Sequence, residues 1–205
     1  MICYDGQHKG WMSRQYLRET PTSTTPISTQ AEKAKPIDTL SQKFTALLPE
    51  SIYSPRIVVR KAERQLELYD GERLFGYWHV ALGWEPKGKK EREGDGKTPE
   101  GEYYICTRND ASRYYLSLGL SYPNKKDAER GLASGIVEQS AYNSIIAAIE
   151  RGDKPPWNTE MGGEIMIHGN GSSRDWTAGC IALENEAMDI LWRYCSIGTE
   201  VKILP

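Results

Sequence analysis

A chain of 205 residues has room for one domain with a substantial core plus a tail, and little more. Its 26 Lys and Arg nearly balance 28 Asp and Glu, for a formal net charge of −2, which argues against a polyanion such as nucleic acid as the main partner and suits a neutral or zwitterionic one. Hydrophobic residues make up 39% and aromatics 10%, with 12 Tyr and 6 Trp against 2 Phe, a balance that favours β structure over a helical bundle. No run approaches the roughly 18 consecutive apolar residues of a spanning helix, and the opening MICYDGQHKGW does not read as a secretory signal.

In chain order, residues 1–48 read as a polar tail, because ETPTSTTPISTQAEKAKP is rich in Thr, Ser and Pro and has no apolar period. Within it, IDTLSQKFTALL (37–48) spaces Leu40, Phe44, Leu47 and Leu48 as one short amphipathic helix. From Arg56, RIVVRKAERQLELYDGERLFGYWHVALG holds two β-type runs around Asp70-Gly71, a hairpin-turn signal. A charged loop with a turn at Thr98-Pro99 leads into a strand of the EYYICT kind, and the β pattern continues through RYYLSLGL. Residues 121–163 interrupt the strands: SYPNKKDAERGLASG reads as polar loop, and IVEQSAYNSIIAAIERG as a single helix ending at Gly152. A short strand, GEIMIHG, ends at His168. NEAMDILWRYC predicts a helix with Asn185 as its N-cap and Met188, Leu191, Trp192 and Cys195 as its apolar stripe, and EVKILP is the last strand.

The cysteines are Cys3, Cys106, Cys180 and Cys195, and no C-x-x-C pair suggests a zinc ribbon or a thioredoxin-type motif. In HGNGSSRDWTAGC, His168 and Cys180 stand at the two ends of a segment of loop-forming residues, so their side chains can meet. A thiol is a nucleophile only as thiolate, and an imidazole beside it takes its proton, so the pair is the minimum apparatus for acyl transfer. Gly179 lets a substrate approach the backbone, and amides around Ala178, Gly179 and Cys180 can receive an oxyanion. On the residues alone, a buried structural Cys and a hydrogen-bonded core His remain the alternative. One His and one Cys fall short of a metal site. His79 alternates with apolar residues on a strand and reads as packed, while Cys106 and Cys195 read as structural.

IHG, then TAGCIAL, a helix and the closing IGTEVKIL resemble the L,D-transpeptidase catalytic domain (YkuD) family, whose signature is His-Gly, a short loop and Ser/Thr-x-Gly-Cys. Upstream, VVRKAERQLELYDGERLFGYWHVALG resembles the family's first hairpin, GDGKTPEGEYYI its Gly-Asp-x-x-Thr-Pro-x-Gly segment, and RYYLSLGLSYPN a stretch of its YafK-like branch. The resemblance covers about residues 56–205 and implies a catalytic domain there. The implied fold is mainly β with helices (α+β), a YkuD-like β-sandwich or barrel with a helix-containing insertion next to the active site.

The resemblance further implies Cys180 as nucleophile, His168 as base and Gly169 as the carbonyl that orients the imidazole. The implied chemistry is on peptidoglycan stem peptides: attack on the diaminopimelate carbonyl, release of D-alanine, and passage of the thioester to an amine. An L,D-carboxypeptidase or amidase that uses water, and an inactive peptidoglycan-binding module, are the alternatives. No metal or organic cofactor is implied. The expected partners are stem peptides and an amine acceptor, either a second stem peptide or an envelope protein, and the expected location is the periplasm or cell envelope. Two positions depart from the pattern, since many members carry His two places before the Cys and Arg two places after it, where this chain has Ala178 and Ala182. Arg174, Arg108, Arg113 and Lys97 are candidates for the displaced cation, with Arg174 first because it lies inside the loop; Arg174, Trp176 and Thr177 are the expected substrate-binding residues.

Overall fold

The computed structural model describes residues 48–205; the polar tail and, apart from Leu48, the expected helix at 37–48 lie outside the described residues. Eight strands and three helices are described: β1 Pro55–Arg60, β2 Gln65–Asp70, β3 Arg73–His79, β4 Gly101–Ser112, β5 Tyr115–Leu120, α1 Lys125–Ala133, α2 Gln139–Glu150, β6 Met166–His168, β7 Ile181–Ala182, α3 Asn185–Tyr194 and β8 Glu200–Leu204. The strands form one sheet in the order β3-β2-β1-β8-β4-β5-β6-β7. Just past β3 the chain bridges Ala81 to Ala182 and Gly83 to Thr177, at the opposite edge. The sheet therefore curls toward a barrel, and the fold is mainly β with helices, as the sequence implies.

The core follows from period-2 alternation. In register, Ile57 and Val59 of β1 face Leu68 and Leu66 of β2 on one side and Val201 and Ile203 of β8 on the other, all buried. Each such side chain contributes about 1.5–3 kcal/mol on leaving water.

Several local expectations are corrected. The Asp70-Gly71 turn does close a hairpin, β2–β3, with Gly71 at φ +59°, but the first β-type run is two strands. The turn 61–64 that divides it contains neither Gly nor Pro. Arg64 takes a left-handed φ of 53° there, its N–H donating to Lys61 O at 3.2 Å. Lys61 itself is buried, its ammonium bonded to Gly88 O, Thr98 O and Glu100 at 2.6–2.9 Å.

The supposed polar loop SYPNKKDAERGLASG contains a second helix, α1. Asn124 and Asp127 form a reciprocal capping box. The buried face of α1 is Asp127, Ala128 and Gly131, and Asp127 is paired inside with Tyr103 Oη at 2.8 Å and Arg130 at 2.9 Å. A helix that buries small and charged residues shows no apolar stripe. Asn185 is the first residue of α3 and not its cap, a position held by Glu184, whose side chain makes no capping bond to the helix. His79 is exposed and not packed.

Candidate active site

The site is built where β6 and β7 meet. β6 pairs antiparallel with β5, Ser117 opposite His168, and parallel with β7, Ile167 opposite Ile181 and His168 opposite Ala182. Extending that register by one residue sets Cys180 beside Met166, two residues along the strand from His168. The segment 169–179 leaves the end of one strand and returns at the start of its neighbour. His168 and Cys180 thus occupy adjacent corners of the sheet, as the loop composition suggests.

Hydrogen bonds hold the loop along its length. Gly171 N donates to Leu183 O at 2.8 Å, and Ser172 N donates to Glu184 Oε1 at 3.0 Å. The Asp175 carboxylate accepts from Arg64 Nε and Nη2 at 3.0 and 2.7 Å and from Leu82 N at 2.8 Å. Trp176 N and Thr177 N both donate to Leu82 O, at 3.1 and 3.2 Å. Thr177 Oγ1 donates to Cys180 O at 2.7 Å and accepts from Gly179 N at 3.1 Å. Gly179 has φ +134°, and a Cβ there would stand 2.7 Å from Lys97 O.

His168 is 1% exposed. Its Nδ1 lies 2.7 Å from Gly169 O. A carbonyl can only accept, so the proton sits on Nδ1 and Nε2 carries a lone pair. Nε2 is buried with no hydrogen-bond partner among the described residues. Burial pushes the imidazole below its ordinary 6.5, opposed by the Gly169 carbonyl. Tyr114 stacks on the ring with centroids 4.8 Å apart, and Trp176 meets it edge-on at 5.5 Å.

Cys180, also 1% exposed, donates its thiol to Glu164 O at 3.5 Å. In this geometry the thiol faces that carbonyl, and the Cys180 thiol and Nε2 are not hydrogen-bonded to each other. Cys106 and Cys195 are buried thiols that desolvation raises to about 11 and about 12, in keeping with structural roles.

A cavity of about 330 Å³ reaches His168 between the β4–β5 hairpin and β6, lined also by Asn109, Ser112, Arg113, Tyr114, Ser117, Glu164 and Met166. No residue of the 121–163 insertion lines it; Glu164, which follows the insertion, does. Of the residues expected to bind substrate, Arg174 is exposed and outside this cavity, and Thr177 is 1% exposed and bonded within its own loop. Trp176 is half-buried and also outside the cavity, its Nε1 donating to Gly171 O at 3.1 Å. Of the expected oxyanion amides, that of Gly179 is already donated to Thr177, while Ala178 is half-buried.

Arg108 is engaged elsewhere, stacked 3.9 Å from the Trp192 ring centroid and donating to Trp192 O. Nothing in the sequence pattern marks Tyr114 or Glu164 as lining this cavity. RYYLSLGL continues the β pattern, but a turn aromatic carries no period to say which strand it leans on. Among the described residues no cluster of three His, Cys, Asp or Glu side chains is arranged to hold a metal ion.

The L,D-transpeptidase catalytic domain (YkuD) family matches residues 54–203. YafK of Escherichia coli (strain K12) is 26% identical over 185 residues, covering 87% of this chain and 56% of that protein, so the chain spans little more than half the length of the curated relatives it matches. The structure of Pgp2, the helical cell shape determining protein of Campylobacter jejuni, superposes with a TM-score of 0.52 at 23% identity, over 80% of this chain and 54% of that one. At that identity the likeness is one of fold. Since the family match runs from the start of β1 into β8 and contains the whole His168–Cys180 loop, the chain belongs to the L,D-transpeptidase catalytic domain family.

Proposed function

We propose that the chain is a cysteine-dependent acyltransferase acting on peptidoglycan stem peptides. Cys180 turns from Glu164 O toward His168, gives its proton to Nε2, and forms a carbon–sulfur bond at the diaminopimelate carbonyl. Backbone amides of Ala178 and Cys180 receive the oxyanion, since the amide between them is bonded to Thr177. As the intermediate collapses, the carbon–nitrogen bond breaks and the imidazolium returns its proton to the amine of D-alanine, which leaves. An acceptor amine then attacks the thioester, losing its proton to Nε2, and the thiolate that departs takes it back. Water in place of the amine gives the carboxypeptidase outcome from the same intermediate.

The observation that carries this reading is the tautomer. A buried imidazole whose Nδ1–H is taken by the next residue's carbonyl presents a bare Nε2 lone pair on the strand beside the one that Cys180 opens. Such chemistry belongs in the periplasm or envelope, where peptidoglycan lies. Among the described residues no helix is long and apolar enough to cross a membrane.

Mass spectrometry of products from a purified tetrapeptide muropeptide, with and without an amine acceptor, tests the reading. A 3→3 linked dimer with loss of D-alanine, absent in Cys180→Ala, supports transfer. Tripeptide alone at every acceptor concentration assigns the hydrolase. An unchanged tetrapeptide refutes both.

A further inference from the structure

The tautomer of His168 rests on one carbonyl, and that carbonyl is held from behind by the first residue of α3. Gly169 O, which takes the Nδ1 proton at 2.7 Å, belongs to the same peptide unit as Asn170 N–H. In a trans peptide the two groups point in opposite directions, so fixing one fixes the other. Asn170 N donates to Asn185 Oδ1 at 2.9 Å. The unit is therefore held at both ends, by the imidazole on one side and by the Asn185 amide on the other.

That orientation is not the one Asn170 favours by itself. Asn170 sits at φ +83°, a left-handed value that a residue with a side chain adopts only where its surroundings impose it. Turning the peptide over about its Cα–Cα axis carries this φ to the ordinary negative side and points the carbonyl away from the ring. Asn185 also packs on the unit: a Cβ on Gly169 would stand 2.5 Å from Asn185 Oδ1 and 2.9 Å from Tyr115 Cβ, so the peptide lies between α3 and the β4–β5 turn. Tyr115 Oη donates to Asp189 Oδ1 at 2.7 Å, which ties that turn to the same helix. The neighbouring Glu184 caps no helix amide and reaches the loop further on, its Oε1 accepting from Ser172 N at 3.0 Å.

We propose that Asn185 is a positioning residue for His168: by holding the Gly169–Asn170 peptide, it keeps the proton on Nδ1 and leaves Nε2 bare. This rests on the function proposed above, in which Nε2 takes the Cys180 proton. Without the Asn185 acceptor the peptide turns over, Gly169 O leaves the ring, and the proton that moves to Nε2 blocks the transfer.

The tautomer can be read without turnover, from the imidazole nitrogen shifts of the isotope-labelled full chain at neutral pH, with His168→Gln identifying the His168 signals. The unsubstituted ring is expected to carry its proton on Nδ1. Asn185→Ala shifts the ratio toward Nε2–H about 2- to 10-fold, the range of one net hydrogen bond, and lowers kcat/KM for D-alanine release by a similar factor. Asn185→Asp keeps the acceptor and restores both. Glu184→Ala frees the loop at Ser172 but leaves the Gly169–Asn170 peptide held and the ratio unchanged. Asn185→Ser, whose oxygen falls short of Asn170 N, takes the place of Asn185→Ala if that variant does not fold.

An Nε2–H ring in the unsubstituted protein, an unchanged ratio in Asn185→Ala, or an equal shift in Glu184→Ala overturns the proposal. So does a shifted ratio with undiminished kcat/KM. An Asn185-dependent tautomer in a protein that releases no D-alanine removes the proposed reaction and leaves the hold on the imidazole standing. Turnover with a tautomer indifferent to Asn185 does the reverse.

Discussion

The Tyr114 ring lies against the imidazole of His168 at 4.8 Å with their planes 29° apart, while Trp176 closes on the same imidazole by its edge. Between them they cover the imidazole and fix its plane, which a single Nδ1 bond to Gly169 leaves able to rock. An aromatic pair of this kind is worth about 0.5–1.5 kcal/mol beyond its buried area. Tyr114→Ala is therefore expected to lower kcat/KM for D-alanine release about 2- to 10-fold. Tyr114→Phe keeps the stack and loses only the hydroxyl that accepts from Arg113. Equal rates for Tyr114→Ala and the unsubstituted protein would show that the stack does not orient the base.

Burial also sets how the site answers to pH. The folded imidazole titrates below 6.5, the ordinary value it regains on unfolding. It therefore stays neutral, and able to take a proton, as pH falls through 6.5, and the acid limb of kcat/KM is expected below that value. Below 6.5 the unfolded chain binds a proton that the folded chain refuses, so this group lowers stability as pH falls from 6.5 toward the folded value and has no effect above. Urea midpoints at pH 7.5 and 5.5 measure this, and the drop should shrink in His168→Gln. An acid limb at or above 6.5 contradicts the expected direction.

Desolvation also acts on two of the three buried thiols among the described residues. Cys106 and Cys195, raised to about 11 and about 12, are almost wholly protonated at pH 7. Brief alkylation of the native chain, followed by peptide mapping, should label Cys180 ahead of both, and His168→Ala should slow the Cys180 label specifically. Labelling of all three at one rate would mean that His168 does not activate the nucleophile.

What could be read from the sequence depended on how local its cause was. The β2–β3 turn carries Asp70-Gly71, a signal contained in two residues, and the last helix shows its apolar stripe. His168 and Cys180 are legible because a loop joining the ends of neighbouring strands must bring those ends together. The β1–β2 turn was not legible: Arg64 is held in the left-handed region without Gly or Asn, and the Lys61 bonds that hold this corner come from Gly88, Thr98 and Glu100, far along the chain. Helix α1 was hidden because Asp127 is buried against Tyr103, a contact no helical period announces. Tyr114 belongs to the same class, since its role is set by a partner in β6.

One glycine has a steric requirement that can be tested without substrate. Gly179 precedes Cys180 at φ +134°, and an added Cβ would come within 2.7 Å of the Lys97 carbonyl, which is backbone and cannot swing away. Gly179→Ala combines a backbone penalty of about 1–3 kcal/mol with that clash. It should lower the urea midpoint and abolish Cys180 alkylation selectivity together. Gly94→Ala, whose Cβ position has no atom within 4 Å though φ is +77°, serves as the comparison for conformational strain alone. Similar losses for the two variants would mean that the packing of Gly179 on Lys97 is unimportant.

Asp175 joins three segments that meet behind the site: the β1–β2 turn through Arg64, the strand continuation through Leu82 N, and its own loop through the neighbouring Trp176. Two effects compete in deciding what Asp175 contributes. The Arg64 pair is partly exposed, with side chains 29% and 20% accessible, so solvent screens it and its worth is about 1 kcal/mol or less. Leu82 is fully buried, and a buried N–H left without an acceptor costs about 1–3 kcal/mol. The acceptor should therefore outweigh the charge. Asp175→Asn keeps an oxygen for Leu82 N and is expected to unfold in urea within about 1 kcal/mol of the unsubstituted protein, whereas Asp175→Ala should lose about 1–3 kcal/mol. Because Trp176 N and Thr177 N hang from the same Leu82 residue, Asp175→Ala should also loosen the Trp176 edge on His168 and lower kcat/KM, with Asp175→Asn close to normal. If Asn proves as damaging as Ala in both measurements, the ion pair to Arg64 holds the loop and the Leu82 bond is incidental.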